Sequence, residues 1–246
     1  MTTDPKIKTD PITAAINRAI ALLNSAKLNQ PLASRFAEDA IAELTATKPA
    51  ALLKPPVTNK PTVALIVGHD ATAKGAYSST LALSEYDYWR SVASKIANMR
   101  SLLFNPVIIM RDNIGISGAY AQADRLKPSL VVELHFNASA EKSAKGFEIL
   151  YAAGARRSHI AASAMGIAWS DKNPLSVLRQ NGTGLLPVTM KDRGGFNLHC
   201  LLSPSVLIEP FFGSNVVESK RYSDRDAMAT NVIHMVNAAL TVLKPK

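Results

Sequence analysis

From residue 60 onward, short runs rich in Val, Ile and Leu alternate with longer stretches of helical spacing, and few folds accommodate that order. Strands are expected at 62–67, 107–111, 130–136, 147–151 and 206–209. Helices are expected at 84–103, 117–126, 158–170 and 225–243. Strand and helix in alternation imply an α/β fold, with a largely parallel sheet covered by helices on both faces. In open sheets of that kind, ligands collect beyond the carboxyl ends of the strands.

The chain has 246 residues, 47% of them hydrophobic, enough for one large core and too many for a disordered chain. Residues 47–61, TKPAALLKPPVTNKP, contain Pro49, Pro55, Pro56 and Pro61 and are expected to form a semi-rigid linker. Ahead of it, residues 1–46 form a small helical segment. Ile12, Ile16, Ile20 and Leu23 mark one helix and 32–44 a second, with Gln30 and Pro31 between them. Two such helices bury little alone, so they dock, assemble or act as a wall-binding module. The α/β domain then spans 62–246.

A net charge of +9 suits anionic partners such as nucleic acid, lipopolysaccharide, acidic wall polymers or a membrane surface. The basic residues are scattered and lack interleaved aromatics, which argues against nucleic acid and for a solvated basic surface, with an anionic cell-envelope surface left as a partner. The lone Cys200 can form neither an internal disulfide nor a thiolate zinc site, so zinc ligands would have to be His, Asp or Glu. The first residues, MTTDPKIKTDPITAAINRAIALL, lack a leading basic cluster, and Asn17 and Arg18 interrupt their apolar stretch. No secretory signal is expected, nor a run near the roughly 20 apolar residues that span a bilayer. The expected location at synthesis is the cytoplasm.

Against this scaffold four residues stand out: His69 in VALIVGHD, Glu85 in LALSEYDYW, His135 in VVELHFNA and Glu209 in PSVLIEPFFGSN. Two imidazoles and a carboxylate can hold a zinc ion with one position left open, and a second carboxylate can handle protons for water there. His69, His135 and Glu209 fall at or just past strand ends, so one crevice could collect them. Gly68 lets the backbone turn sharply before His69. Glu85 opens a helix, where the dipole keeps a carboxylate ionised; alone it would pass for an ordinary first-turn charge capped by Ser84. By the two-residue strand period Glu133 shares a face with His135 and could orient it. His159, His199 and His234 lack such settings and read as structural.

The order of Gly-His, a helix-opening Glu, a buried strand ending His-x-Asn-Ala, Gly-x-Glu in GFEILY, and P-x-V-L-I-E-x-x-F-x-x-N resembles the zinc-dependent N-acetylmuramoyl-L-alanine amidases of the Amidase_3 type. The resemblance covers roughly residues 60–246. It implies a single α/β domain, phosphorylase/hydrolase-like, with a twisted and mostly parallel central sheet flanked by helices. It also implies one Zn2+ on His69, Glu85 and His135, with Glu209 as the catalytic glutamate. The substrate implied is peptidoglycan, cut at the amide between the lactyl group of N-acetylmuramic acid and L-alanine. Asn137 and Asn215 fall in matching motifs and could shape the site, and Arg193 in KDRGGF could meet a substrate carboxylate. Asp70 stands where the family has glycine and Glu133 where it has a small polar residue, so either carboxylate could join the ligand set. A basic chain of this kind resembles a phage or prophage endolysin, acting on the periplasmic wall once the inner membrane is permeabilised. Another zinc peptidase or amidohydrolase on a related fold, and a non-catalytic peptidoglycan-binding protein, stay open as alternatives.

Overall fold

A computed structural model describes residues 60–243. The helices expected in residues 1–46, and the Pro-rich segment up to residue 59, lie outside the described residues. In chain order the first elements are β1 (Thr62–Val67), β2 (Tyr77–Ser78), β3 (Leu83–Ser84), α1 (Glu85–Asn98), β4 (Asn105–Ile109), α2 (Gly115–Leu126) and β5 (Leu130–Leu134). There follow β6 (Glu148–Ala152), α3 (Arg156–Lys172), β7 (Leu185–Val188), α4 (Gly195–Cys200), β8 (Ser205–Glu209), α5 (Val216–Arg221) and α6 (Arg225–Leu243). A further turn at Arg179–Gly182 holds Gln180 and Asn181 in the left-handed region and is not a continuous helix.

The main sheet has the order β4-β1-β5-β8-β6-β7. β1 is apolar along nearly its whole length because it has neighbours on both edges and helices on both faces; it pairs in parallel with β4 and β5. Val63, Leu65 and Val67 point to one face, where Trp89 and Ile96 of α1, Met165 of α3 and Met235 of α6 complete the larger core. Ala64 and Ile66 point to the other, against Ala119, Tyr120 and Ala123 of α2. Leu207, in register with Glu133, extends that second face to Leu198 of α4. The result is a single α/β domain whose mostly parallel central sheet is flanked by helices, as expected.

Two strands depart from the parallel set. β6 runs antiparallel to β8 and β7 parallel to β6, so four strands point one way and two the other. β7 was not expected because Pro187 interrupts its run; as an edge strand paired only with β6 it tolerates a residue lacking an N–H. The small β2-β3 hairpin was also unforeseen, its strands being two residues each. The helix expected to reach residue 103 stops at Asn98, where Met99 turns extended and Ser101 adopts φ 63. α6 occupies its expected span, and α2 ends on Lys127 in the left-handed region just before Pro128, which cannot extend a helix. The reversal at β6 has one consequence for the site: the carboxyl ends of β1, β5 and β8 and the amino end of β6 share one edge.

Candidate active site

Where β1 ends, Gly68 donates to the Leu134 carbonyl at 3.0 Å and His69 turns away with φ 65. The sharp turn therefore sits on His69 itself, not on the glycine. Gly68 is needed for another reason: a Cβ there would lie 2.5 Å from both the Leu134 oxygen and His135 Cε1. Absence of a side chain lets the two histidine-bearing strand ends approach, and the imidazoles meet edge to face with centroids 5.1 Å apart. Gly75 plays a similar part from the following loop, with φ +74 and with His69 Cδ2 2.5 Å from where its Cβ would be.

Glu85 enters this space from the first residue of α1, whose amino end Ser84 caps by accepting from Asp87 N–H at 3.1 Å. It is buried, and its Oε1 lies 2.7 Å from His135 Nδ1 and accepts from Phe136 N–H at 3.1 Å. Its Oε2 lies 3.2 Å from His69 Nε2 and accepts from Ala76 N–H. Burial alone would raise the Glu85 carboxyl; hydrogen bonds and charge from His135 and His69 outweigh it and hold the group at about 2. One ligand atom each from His69, Glu85 and His135 all fall within 4.8 Å of one another, a group that could hold a metal ion. Two nitrogens and one ionised oxygen are the donors zinc accepts.

The two carboxylates that could have competed have other partners. Asp70 closes its own loop, accepting from Thr72 N–H, Thr72 Oγ1 and Ala73 N–H, and the Thr72 and Ala73 bonds lower its pKa. Glu133 lies behind His135, its Oε1 3.0 Å from Nε2, the ring nitrogen turned away from Glu85. Tyr120 donates its hydroxyl to Glu133 Oε2 and Arg111 approaches Oε1 at 3.5 Å. Burial works against ionisation of Glu133, but the charge and hydrogen bond of His135 and the Tyr120 bond prevail and lower its pKa. Burial likewise depresses His135, yet Glu133 and Glu85 lift it to about 10 in the metal-free protein.

Glu209, the last residue of β8, is 1% exposed. Burial pushes its carboxyl up to about 7, against the lowering charges of Arg193 and His135. Arg193 is exposed along its side chain, yet its guanidinium reaches two carboxylates: Nη1 lies 2.6 Å from Glu209 Oε1 and Nη2 lies 3.5 Å from Glu148. Glu209 Oε2 is buried with no hydrogen-bond partner among the described residues. Asn137 is buried and donates to Glu148 Oε1 at 2.7 Å. A crevice of about 420 Å³ is lined among others by His69, Glu85, His135, Asn137, Arg193 and Glu209.

Sequence reasoning singled out neither Glu148 nor Arg111, which also lines the crevice. Glu148 stood in plain view in the Gly-x-Glu of GFEILY; what hid it was the antiparallel register that sets it opposite Glu209. The strand expected to run to Arg111 ends at Ile109, so Arg111 lies beyond a carboxyl end as His69 does. Asn215 shapes the site only from a distance. It caps α5 by accepting from Val217 and Glu218 N–H, and donates to the carbonyls of Lys142 and Ala144. His159 stacks on Tyr151 and His199 meets the Val188 carbonyl at 2.9 Å, both apart from the crevice.

A family model described as N-acetylmuramoyl-L-alanine amidase, of the Amidase_3 type, matches residues 63–240. The structure is similar to the N-acetylmuramoyl-L-alanine amidase from Clostridium difficile 630, with a TM-score of 0.62 and 22% identity, covering 75% of this chain and 98% of that one. It is similar to the amidase AmiC2 of Nostoc punctiforme, with a TM-score of 0.62 and 16% identity over 75% and 99% of the two chains. The catalytic domain of the CD27L endolysin targeting Clostridia difficile aligns with a TM-score of 0.56 and 20% identity, over 72% and 97%. At these identities the likeness is one of fold. No curated protein sequence matches the chain significantly.

Proposed function

The chain belongs to the N-acetylmuramoyl-L-alanine amidase family, and from that membership we propose a peptidoglycan hydrolase that uses a zinc ion on His69, Glu85 and His135, with Glu209 carrying the proton. The bond cut is the amide between the lactyl group of N-acetylmuramic acid and the L-alanine of the stem peptide. The observation that carries this reading is the convergence of three ligand atoms within 4.8 Å of one another in the crevice that also holds a buried Glu209. When bound, zinc supplies Lewis-acid polarisation of the scissile carbonyl and lowers the pKa of attacking water.

The rest falls to the protein's own groups. Glu85, ionised down to about 2, keeps one negative charge among the donors across the physiological range. Glu133 holds the far nitrogen of His135, which fixes the ring so that Nδ1 faces Glu85. Glu209 takes a proton from the attacking water and returns it to the departing L-alanine nitrogen, for which a carboxyl raised towards neutrality is well matched. Residues 1–46 are proposed as a separate helical segment, and 47–61 as the linker to the catalytic domain.

Glu209→Ala leaves all three metal donors in place and removes the proton carrier. We expect about one bound zinc per chain, as in the wild type, and a rate on purified peptidoglycan lowered about 10²–10⁴-fold. Near-normal turnover in that variant, with metal content measured alongside, would rule out this role for Glu209.

The biological setting we favour is an endolysin, made in the cytoplasm and reaching the periplasmic wall after membrane permeabilisation. Support comes from the net charge of +9, suited to an anionic envelope surface, and from the likeness to an endolysin catalytic domain. Among the described residues no helix is long and apolar enough to cross a membrane. Added to permeabilised Gram-negative cells, the protein is expected to clear the suspension. Activity confined to small soluble muropeptides would instead indicate wall recycling.

A further inference from the structure

Behind two residues that line the crevice, Asn137 and Arg193, stands a set of charged and polar side chains that metal chemistry does not account for. Glu148 opens β6 and is 3% exposed, yet it is an ionisable group with an unusual number of donors. Its Oε1 accepts from Asn137 Nδ2 at 2.7 Å and faces Arg193 Nη2 at 3.5 Å. Its Oε2 accepts from Arg179 Nε at 2.9 Å and Gln180 Nε2 at 3.1 Å. Across the antiparallel register stands Glu209, directly opposite. Two buried carboxylates placed so would repel each other, and the Arg193 guanidinium lies against both.

A glutamate carboxylate turns easily about its last torsion, so a buried one with free oxygens could offer either of them to a reacting group. Here Oε1 of Glu209 is held at 2.6 Å by Arg193, while Oε2 has no partner among the described residues. Arg193 on its own would be a poor clamp: its side chain is 63% exposed, and a long exposed arginine loses much rotamer entropy when fixed. Glu148, itself held by Asn137, Arg179 and Gln180, supplies the second anchor. We propose that Glu148 and Arg193 are positioning residues acting in series, Glu148 holding Arg193 and Arg193 pinning Glu209 by Oε1, so that Oε2 is the oxygen that exchanges the proton. The proposal rests on the reading of Glu209 as proton carrier given above.

The test uses the full chain loaded with zinc and a soluble N-acetylmuramoyl-peptide, comparing Arg193→Ala, Arg193→Lys, Glu148→Gln and the Glu148→Gln/Arg193→Ala double variant. Arg193 is exposed, so its variants keep the fold even if the buried Glu148→Gln does not. Misplacing Glu209 is expected to lower kcat about 100-fold in Arg193→Ala, with KM within about threefold of wild type and zinc content unchanged. Arg193→Lys recovers part of the loss, and Glu148→Gln lowers kcat in the wild-type background but adds nothing once Arg193 is gone. Crystal structures of metal-free wild type and Arg193→Ala give a readout independent of turnover: the Glu209 carboxylate is expected in one orientation in the first and several in the second. A raised KM with kcat intact would assign Arg193 to a substrate carboxylate and overturn the proposal. Multiplying effects of the two single substitutions would break the series, and a single Glu209 orientation in Arg193→Ala would remove the pinning. If the wild type cleaves no muramoyl amide, the proposed function falls, and the crystallographic comparison alone decides the positioning.

Discussion

In the proposed role of proton carrier, Glu209 would meet two conflicting demands, to be buried beside the reacting bond and still to ionise. Burial pushes it up to about 7 in the metal-free protein, with Arg193 and His135 opposing. A cation on the neighbouring ligands would pull it down from there. The group accepts a proton only when ionised, so rate is lost as pH falls through its pKa. The expected kcat/KM profile has an acid limb between the ordinary 4.5 and about 7. Measured on a soluble fragment, a profile flat to below 4.5 would contradict this. Which residues would meet was legible for His69, Glu85, His135 and Glu209, because each sits at an element's end inside a short recognisable motif. Glu148 was not, because its meaning comes from partners such as Arg179, 31 positions away, and from a strand direction that local pattern does not encode. Gly68 shows a subtler miss: it signals a tight spot in either reading, but only coordinates distinguish a turn from the close approach of Leu134 and His135.

At the scale of elements, sequence pattern served best where an element's environment is uniform. β1 is buried on both faces and α6 presents a long apolar stripe, and both occupy their expected spans. It served worst at edges, where β7 carries Pro187 and β4 carries Pro106 in the register with Val63. The short α5 was also unforeseen, and its cause is local: Asn215 accepts from two N–H groups at its start while tying down the 142–144 loop. Glu218 in the same helix is buried and accepts from Gly146 and Phe212 N–H, joining this turn to the segment after Glu209. Asn215→Ala is therefore expected to cost about 1–2 kcal/mol of stability while zinc content stays at the wild-type level. Thermal unfolding with metal analysis checks both parts, and an unchanged Tm would show the cap to be dispensable.

Across the whole molecule, the chemistry collects on one edge because strand direction collects it there. Three parallel strands deliver His69, His135 and Glu209 at their carboxyl ends, α1 delivers Glu85 at its amino end, and the reversed β6 delivers Glu148. The crevice of about 420 Å³ on that edge falls in the size range of small-ligand sites, with Leu207 and Phe136 among its apolar walls. Mass spectrometry of purified peptidoglycan digested by the full chain tests the central claim most directly. The predicted products are stem peptides beginning with a free L-alanine amine and glycan strands bearing free lactyl carboxylates. Cuts inside the peptide with the lactyl amide intact would contradict it.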